Sequence, residues 1–501
     1  MRGLWKWRFF LFLFCFGAAS LQAAKRPNSS TAATLSYEEA RHLLSRTCFG
    51  VNVRQILSWT KLTREQAVER LLQQLRRPQL ISPPSWSKEP YPDFASISKK
   101  PLKQRMAFQR KIQKMRVDIK LWWYRQMCQT STPFAERMVL FWHNHFTSEM
   151  RKMWWPLWMY QQNQLFRRHL SKNFRSLLLA ICKDPAMVVY LDSRNNRKGR
   201  PNENFARELL ELFTLGEGNY SEADIKEAAR AFTGYTLNYK KGTFYFYPKH
   251  HDWGIKKFMG RAGYFSGEDI VQILLENPRL SEFITEKLWK EFISPVPHPE
   301  EVKRLARLWR KHNYELIPYL RAFFLSKYFW LPKNRNNLVK SPVEFLVGFV
   351  RSFELPVRNP RILLHYGRML GQDILDPPNV KGWPQGLEWI NTTSLILRVQ
   401  FLRTYFQLRA VEVRRVYYCN LNCPTCNRRR QKQRIEFKRR FAEQNRRILA
   451  LFQLSPKPTI SQIARLRKTL VPTRDISRFP TSVGALDMIY RFLLTPDYQL
   501  K

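Results

Sequence analysis

Three short stretches of this chain carry side chains suited to acid–base work or metal ligation. The first begins Glu203-Asn204-Phe205-Ala206-Arg207-Glu208 and runs on through Glu211. At 100° per residue, Glu203, Asn204, Arg207, Glu208 and Glu211 fall on one arc of a helix, with Phe205, Leu209, Leu210 and Phe213 on the other. Glu203 and Glu208 are the material of a general acid/base pair, with Arg207 placed to neutralise one of them or an anionic substrate. The same spacing also makes a solvated face laced by i,i+4 ion pairs. The second stretch, His250-His251-Asp252, sets His beside Asp in a loop, a pairing that suits metal ligation or proton transfer. The third holds His143 and His145, about 200° apart on a helix, so both reach one ion only if the helix ends there. A catalytic set of Glu203, Arg207, Glu208, His251 and Asp252 is therefore expected. A divalent metal, of no stated identity, would be held by His143, His145, Asp192, His251 and Asp252.

The elements that must position these groups are helices. Ser36 and Thr63 are N-cap residues for helices over Leu35–Thr47 and Thr63–Leu75, the second with Gln66 three residues on. Leu80–Pro92 holds four prolines and reads as a loop. Further helices are expected over 99–120, 133–145, 156–169, 173–183, 267–276 and 281–292, and after Pro299. The exception is Tyr235–Tyr247, where aromatic and β-branched runs flank Lys240-Lys241-Gly242 and predict a short β-hairpin. Gly216 and Gly218 stop the Glu203 helix, and Ser221 with Asp224 caps the next. That geometry is expected to return Asp252 toward Glu203 and Glu208 in one pocket, with His143 or His145 reaching it. The expected fold is mainly α, a multi-helical bundle with one short β-hairpin near 235–247.

The block from Pro201 to Gly254 resembles the signature of a bacterial family known as domain of unknown function 1800. Arg41-His42-Leu43 through Gly50, Phe141-Trp142-His143-Asn144-His145-Phe146, Tyr190-Leu191-Asp192 with Asn196, Leu338 to Glu344, Pro377 to Pro384 and Leu493 to Gln499 are similar to its other motifs. The resemblance implies an exported, mostly helical protein without an assigned activity. It does not extend to the insertion from Cys419 to Arg447.

The first 24 residues read as a cleavable secretory signal. Arg2, Lys6 and Arg8 precede an apolar run from Phe9 to Phe16, and Leu21-Gln22-Ala23-Ala24 offers a small-residue cleavage site. A periplasmic or secreted protein is expected, the alternative being one anchored by an uncleaved signal. The remaining chain divides into a main helical domain over 25–410, a basic Cys-containing insertion over 411–450, and C-terminal helices over 451–501 packed on the main domain. The net charge is +47; removing the signal takes three cations and no acids, leaving +44. Such a field draws anionic envelope polymer or a membrane surface, with nucleic acid as the lowest-ranked partner. Arg428, Arg429, Arg430, Lys438, Arg439 and Arg440 are the expected polyanion contacts, on a helix that reads equally as a solvated insertion.

Cys419, Cys423 and Cys426 have the three-then-two spacing of an iron–sulfur loop in radical S-adenosylmethionine enzymes, but too little chain follows for the barrel such a loop needs. A structural zinc with a remote fourth ligand, or a local disulfide with one thiol left over, fits better. Trp154, Trp155 and Trp158 with Tyr160, and Trp383 with Trp389, are candidate sugar-stacking platforms whose commoner fate is core packing. Two readings of function stand. One is a metal-assisted enzyme acting on envelope or extracellular polymer; the other is a non-catalytic binder of envelope or polyanion.

Overall fold

Helix starts are set by side chains that reach back to the backbone. Ser36 with Glu39, Thr63 with Gln66, Ser221 with Asp224, Ser266 with Asp269 and Ser341 with Glu344 each form a reciprocal capping box. Each box satisfies two N–H groups that a helix start leaves without partners. The computed structural model describes residues 33–357, 359–415, 439, 442–443, 445–471 and 484–501. The expected signal segment and Cys419, Cys423 and Cys426 lie outside these residues, as do Arg428, Arg429, Arg430, Lys438 and Arg440. Arg439 is described as helical and exposed.

The described chain is mainly α, with two small antiparallel two-stranded sheets. The expected hairpin is present as Tyr235–Asn238 paired with Thr243–Phe246, with Thr236 opposite Tyr245 and Leu237 opposite Phe244. A second hairpin, Lys256–Phe258 with Arg261–Gly263, was not expected: its strands are three residues each, too short to show a period-2 pattern. The helix expected over 99–120 runs instead from Leu102 to Gln129, exposed along its first half and buried along its second.

The helix Pro133–His145 is central: every residue in it is buried except Asn144. It packs against Leu157–Arg168 and Arg64–Arg76. Two of its charged residues are paired inside the protein. Glu136 accepts from Arg167 Nη2 at 2.8 Å, Gln126 Nε2 at 2.9 Å and Trp123 Nε1 at 3.1 Å. Arg137 bridges two carboxylates, Glu291 at 2.5 Å and Glu344. Glu344 also receives Lys501, and the backbone of Lys501 donates to Leu338 O at 2.8 Å. The 460–470 helix is tied to the first helix, where Arg41 Nε donates to Thr469 O at 3.0 Å.

Behind the central helix runs a second buried chain of hydrogen bonds. Ser148 Oγ donates to Gln162 Oε1 at 2.5 Å, and Gln162 Nε2 donates to Asp184 Oδ2 at 2.8 Å. Burial pushes the Asp184 carboxyl up to about 7. A carboxyl with a raised folded value stabilises fully below its ordinary 3.8, and that contribution is lost as pH rises through about 7. Asp184→Asn is therefore expected to melt progressively closer to, and then above, the parent between pH 5 and pH 8. Parallel melting curves across that window would show Asp184 ionised throughout.

Candidate ligand-binding cleft

The signature block does not fold into the expected pocket. The helix from Asn204 is α-helical only to Glu208; Leu209–Leu215 is a π-helical segment, which turns Glu211 away from the α-helical arc. Arg207 makes a two-pronged pair with Glu222 at 2.7 and 2.8 Å and reaches Glu203 at 3.3 Å. All three are substantially exposed, which makes this a surface network of small energetic weight. Glu208 is half-buried, and burial followed by the neighbouring Glu211 raises its carboxyl. Its charged surroundings include Glu211 and Lys381, not His251.

His251 and Asp252 sit at the other end of the helix Glu222–Ala231. His251 Nδ1 donates to Thr233 O at 2.8 Å, which fixes the tautomer because a carbonyl only accepts. Asp252 is held by Arg230 at 2.8 and 3.3 Å and accepts the Gly254 N–H, and the Arg230 bond is the first cause holding its carboxyl down to about 2. Glu222 and Arg230, the anchors of the two groups, are eight residues apart, about 12 Å along a helix. Arg207 with Glu203 and His251 with Asp252 are thus two separate clamps on one helix. The motif asparagines complete the frame: Asn196 Nδ2 donates to Ala229 O at 2.8 Å and Asn196 Oδ1 accepts from Asn202 N at 2.9 Å.

The expected metal set is also dispersed. The central helix does end at His145, but both imidazoles are buried for other reasons. His145 Nε2 donates to Phe213 O at 3.1 Å and its Nδ1 accepts from Lys287 Nζ at 3.3 Å. Lys287 also donates to Leu212 O at 3.0 Å. These two side chains cap carbonyls of the π-helical segment, where negative partial charge accumulates. Burial pushes Lys287 down to about 8 and His145 well below its ordinary value, so the imidazole is neutral. His143 is packed among Trp123, Phe166 and Trp383, and burial brings it down to about 3. Asp192, in a left-handed turn, accepts from Asn195 Nδ2 and Arg194 Nε beside it. Among the described residues no group of three or more His, Cys, Asp or Glu side chains is placed to hold a metal ion.

The motifs converge elsewhere. A cleft of about 580 Å³ opens between the central helix, the end of the helix Pro278–Phe292, the run into the helix Pro342–Ser352, and the Pro/Gly loop up to Trp389. Its volume is that of a small-ligand site. Phe141 and Asn144, then Leu338, Val339, Ser341 and Glu344, then Trp383 and Pro384 all line it, one group from each of three sequence motifs. The loop is fastened by Asn144, whose Oδ1 accepts from Trp383 N at 2.7 Å. Trp383, Trp389 and Val339 form a small apolar cluster apart from the main core. By contrast Trp155 and Trp158 are core residues, and Trp154 is held by Tyr91 at 2.9 Å.

Among the described residues, two buried donors of the cleft lining lack partners, Trp383 Nε1 and Arg137 Nε. A buried N–H without an acceptor costs about 1–3 kcal/mol, so a ligand oxygen that reaches either one gains more than it would at a satisfied group. Three cations, Arg137, Lys290 and Lys501, face three carboxylates, Glu291, Glu344 and Glu388, so the lining is charge-balanced. The neighbouring Arg137 and Lys501 charges hold the Glu344 carboxyl down to about 2 despite its burial.

Sequence reading had flagged Trp383, Trp389 and each motif separately. The cleft itself is not marked there, because convergence of segments far apart in the chain leaves no local signal. No curated protein and no solved structure matches the chain. A family model does match, that of the protein of unknown function DUF1800, over residues 42–500, and the chain belongs to that family.

Proposed function

We propose that this protein is an exported, non-catalytic binder of envelope or extracellular polymer, and that its cleft takes a neutral, hydroxyl-rich saccharide unit of that polymer. The observation that carries the reading is the pair of unpartnered donors, Trp383 Nε1 and Arg137 Nε, on residues of a charge-balanced cleft that also carries two indoles. Sugar hydroxyls accept such hydrogen bonds, and sugar C–H faces pack on indole rings. Charge balance favours a neutral unit over an acidic one. The basic leader from Arg2 and the small residues at Ala23 and Ala24 support export.

The metal-assisted alternative draws less support. Glu344 is pinned between two cations and stays ionised through the physiological range, so it is a poor proton donor. The carboxylates of the signature block are spread over separate ion pairs.

Titration of the mature protein with neutral hexose and N-acetylhexosamine oligomers, followed by calorimetry, tests the reading. Saturable binding is expected, with uronic-acid oligomers weaker. Trp383→Phe keeps an aromatic ring and removes the N–H, and is expected to weaken binding about five- to tenfold, mainly the loss of one hydrogen bond. Absence of binding across the neutral panel, or an unchanged affinity in Trp383→Phe, overturns the assignment.

A further inference from the structure

Among the described residues, the large aromatic side chains that stand well out into solvent all fall within one stretch of 26 residues. They are Tyr239 (57% exposed), Tyr245 (44%), Trp253 (59%) and Tyr264 (75%), and Ile255 is as exposed as they are. The stretch is the pair of hairpins and their connection. In the first hairpin Leu237 and Phe244 form one opposed pair, and Tyr245, opposite Thr236, lies on the other face by the strand alternation. The Tyr245 ring lies 6.2 Å from that of Tyr247. Trp253 stands edge-on to His251 and Phe246, at 4.5 and 6.4 Å, which fixes its base and leaves its outer part free.

The same stretch is basic. Lys240, Lys241, Lys249, Lys257 and Arg261 are exposed, and its single acid, Asp252, is already paired with Arg230. A second basic loop adjoins it: Lys198 N donates to His250 O at 2.8 Å, and Arg197, Lys198 and Arg200 are exposed. Arg261 is paired with Glu276, but Lys240, Lys241, Lys249 and Lys257 have no ion pair among the described residues, so the charge here is more than the general basicity of the chain and coincides with the exposed aromatics.

We infer that the second hairpin and the connection leading into it form a peripheral docking surface for an anionic lipid bilayer, with Trp253, Ile255 and Tyr264 entering the headgroup layer, Ile255 and Tyr264 flanking the paired Lys256 and Gly263, and Lys198, Lys249 and Lys257 meeting lipid phosphates. Tyr and Trp are the side chains that settle at a membrane–water boundary, having an apolar body and one polar atom. Lys and Arg around them add an attraction that acts over a Debye length and falls with salt. A polysaccharide chain would be held better by a groove such as the cleft, whose lining shares no residue with the hairpins. The inference is independent of the saccharide reading: a bilayer-docking surface stands or falls whatever the cleft binds.

Co-sedimentation of the mature protein with vesicles tests it, comparing pure phosphatidylcholine with a phosphatidylglycerol mixture. Binding is expected only to the anionic vesicles and to weaken as salt is raised. The triple variant Lys198→Glu/Lys249→Glu/Lys257→Glu is expected to lose at least tenfold in affinity. Trp253→Ala/Tyr264→Ala is expected to lose at least fivefold for vesicles while leaving binding to soluble heparin unchanged. All five side chains are exposed, and an unaltered melting temperature confirms that the variants fold. Three results overturn the inference: aromatic variants that sediment as the parent does, which would indicate charge adhesion alone; equal losses for heparin and vesicles in the aromatic variants; and loss of vesicle binding on deleting 427–447 but not in the hairpin variants.

Discussion

Glu344→Ala is expected to destabilise the folded protein by about 3–5 kcal/mol, the cost of removing one partner from a buried ion pair. The carboxylate is buried and receives both Arg137 and Lys501, themselves buried. It also accepts the Ser341 N–H at 2.8 Å, so the variant loses half of the capping box that starts the helix Pro342–Ser352. With Glu344 gone, Arg137 keeps Glu291 but Lys501 keeps only the same Glu291 at 3.8 Å, and two buried cations share one half-buried acid. Urea unfolding of parent and variant measures the loss. Glu344→Gln, which retains an acceptor for Ser341, is expected to lose less. The double variant Arg137→Met/Glu344→Leu is expected to recover part of it, because the remaining Lys501 and Glu291 can pair. A single-variant loss below about 1 kcal/mol would show that the cations are satisfied without Glu344.

The contrast between Glu344 and Glu203 explains what could be read from the sequence. Local interactions leave local marks: Ser36 with Glu39, Thr63 with Gln66 and Ser221 with Asp224 lie three residues apart, and their helices start where the spacing says. The hairpin near 235–247 was legible for the same reason, as alternating aromatic and β-branched residues around a glycine turn. The helix bearing Glu203 looked like a catalytic wall because carboxylates and an arginine share one α-helical arc. The π-helical turn after Glu208 rotates that arc, and its cause lies in distant groups: the Leu212 and Phe213 carbonyls are taken by Lys287 and His145. Likewise the motif histidines are the right residue types for a metal, but Phe213 O fixes one and a cage of aromatic rings encloses the other. The cleft was illegible as a cleft although most of its parts were marked, since Asn144, Glu344 and Trp383 meet only through tertiary packing.

Gly382→Ala is expected to cost about 2–4 kcal/mol and to abolish saccharide binding, combining backbone strain with an overpacked contact. Gly382 has φ near +90°, in the left-handed region that side chains with a Cβ rarely adopt. A Cβ there would overlap Asn144 Oδ1 and come within 2.7 Å of the Asn144 carbonyl oxygen. That amide oxygen is the acceptor that holds Trp383 N, so the loop must move away from the central helix and take the Trp383 indole with it. Gly386→Ala separates the two causes. Gly386 lies in the same loop with φ near +61°, and a Cβ built there meets nothing within 4 Å. It is therefore expected to bear the strain alone, to lose about 1–2 kcal/mol, and to bind saccharide as the parent does. Unfolding curves and oligosaccharide titrations on the two variants read both quantities. If Gly386→Ala loses binding as fully as Gly382→Ala, loop strain and not the Asn144–Trp383 contact governs the site. If Gly382→Ala folds and binds normally, the contact does not position Trp383.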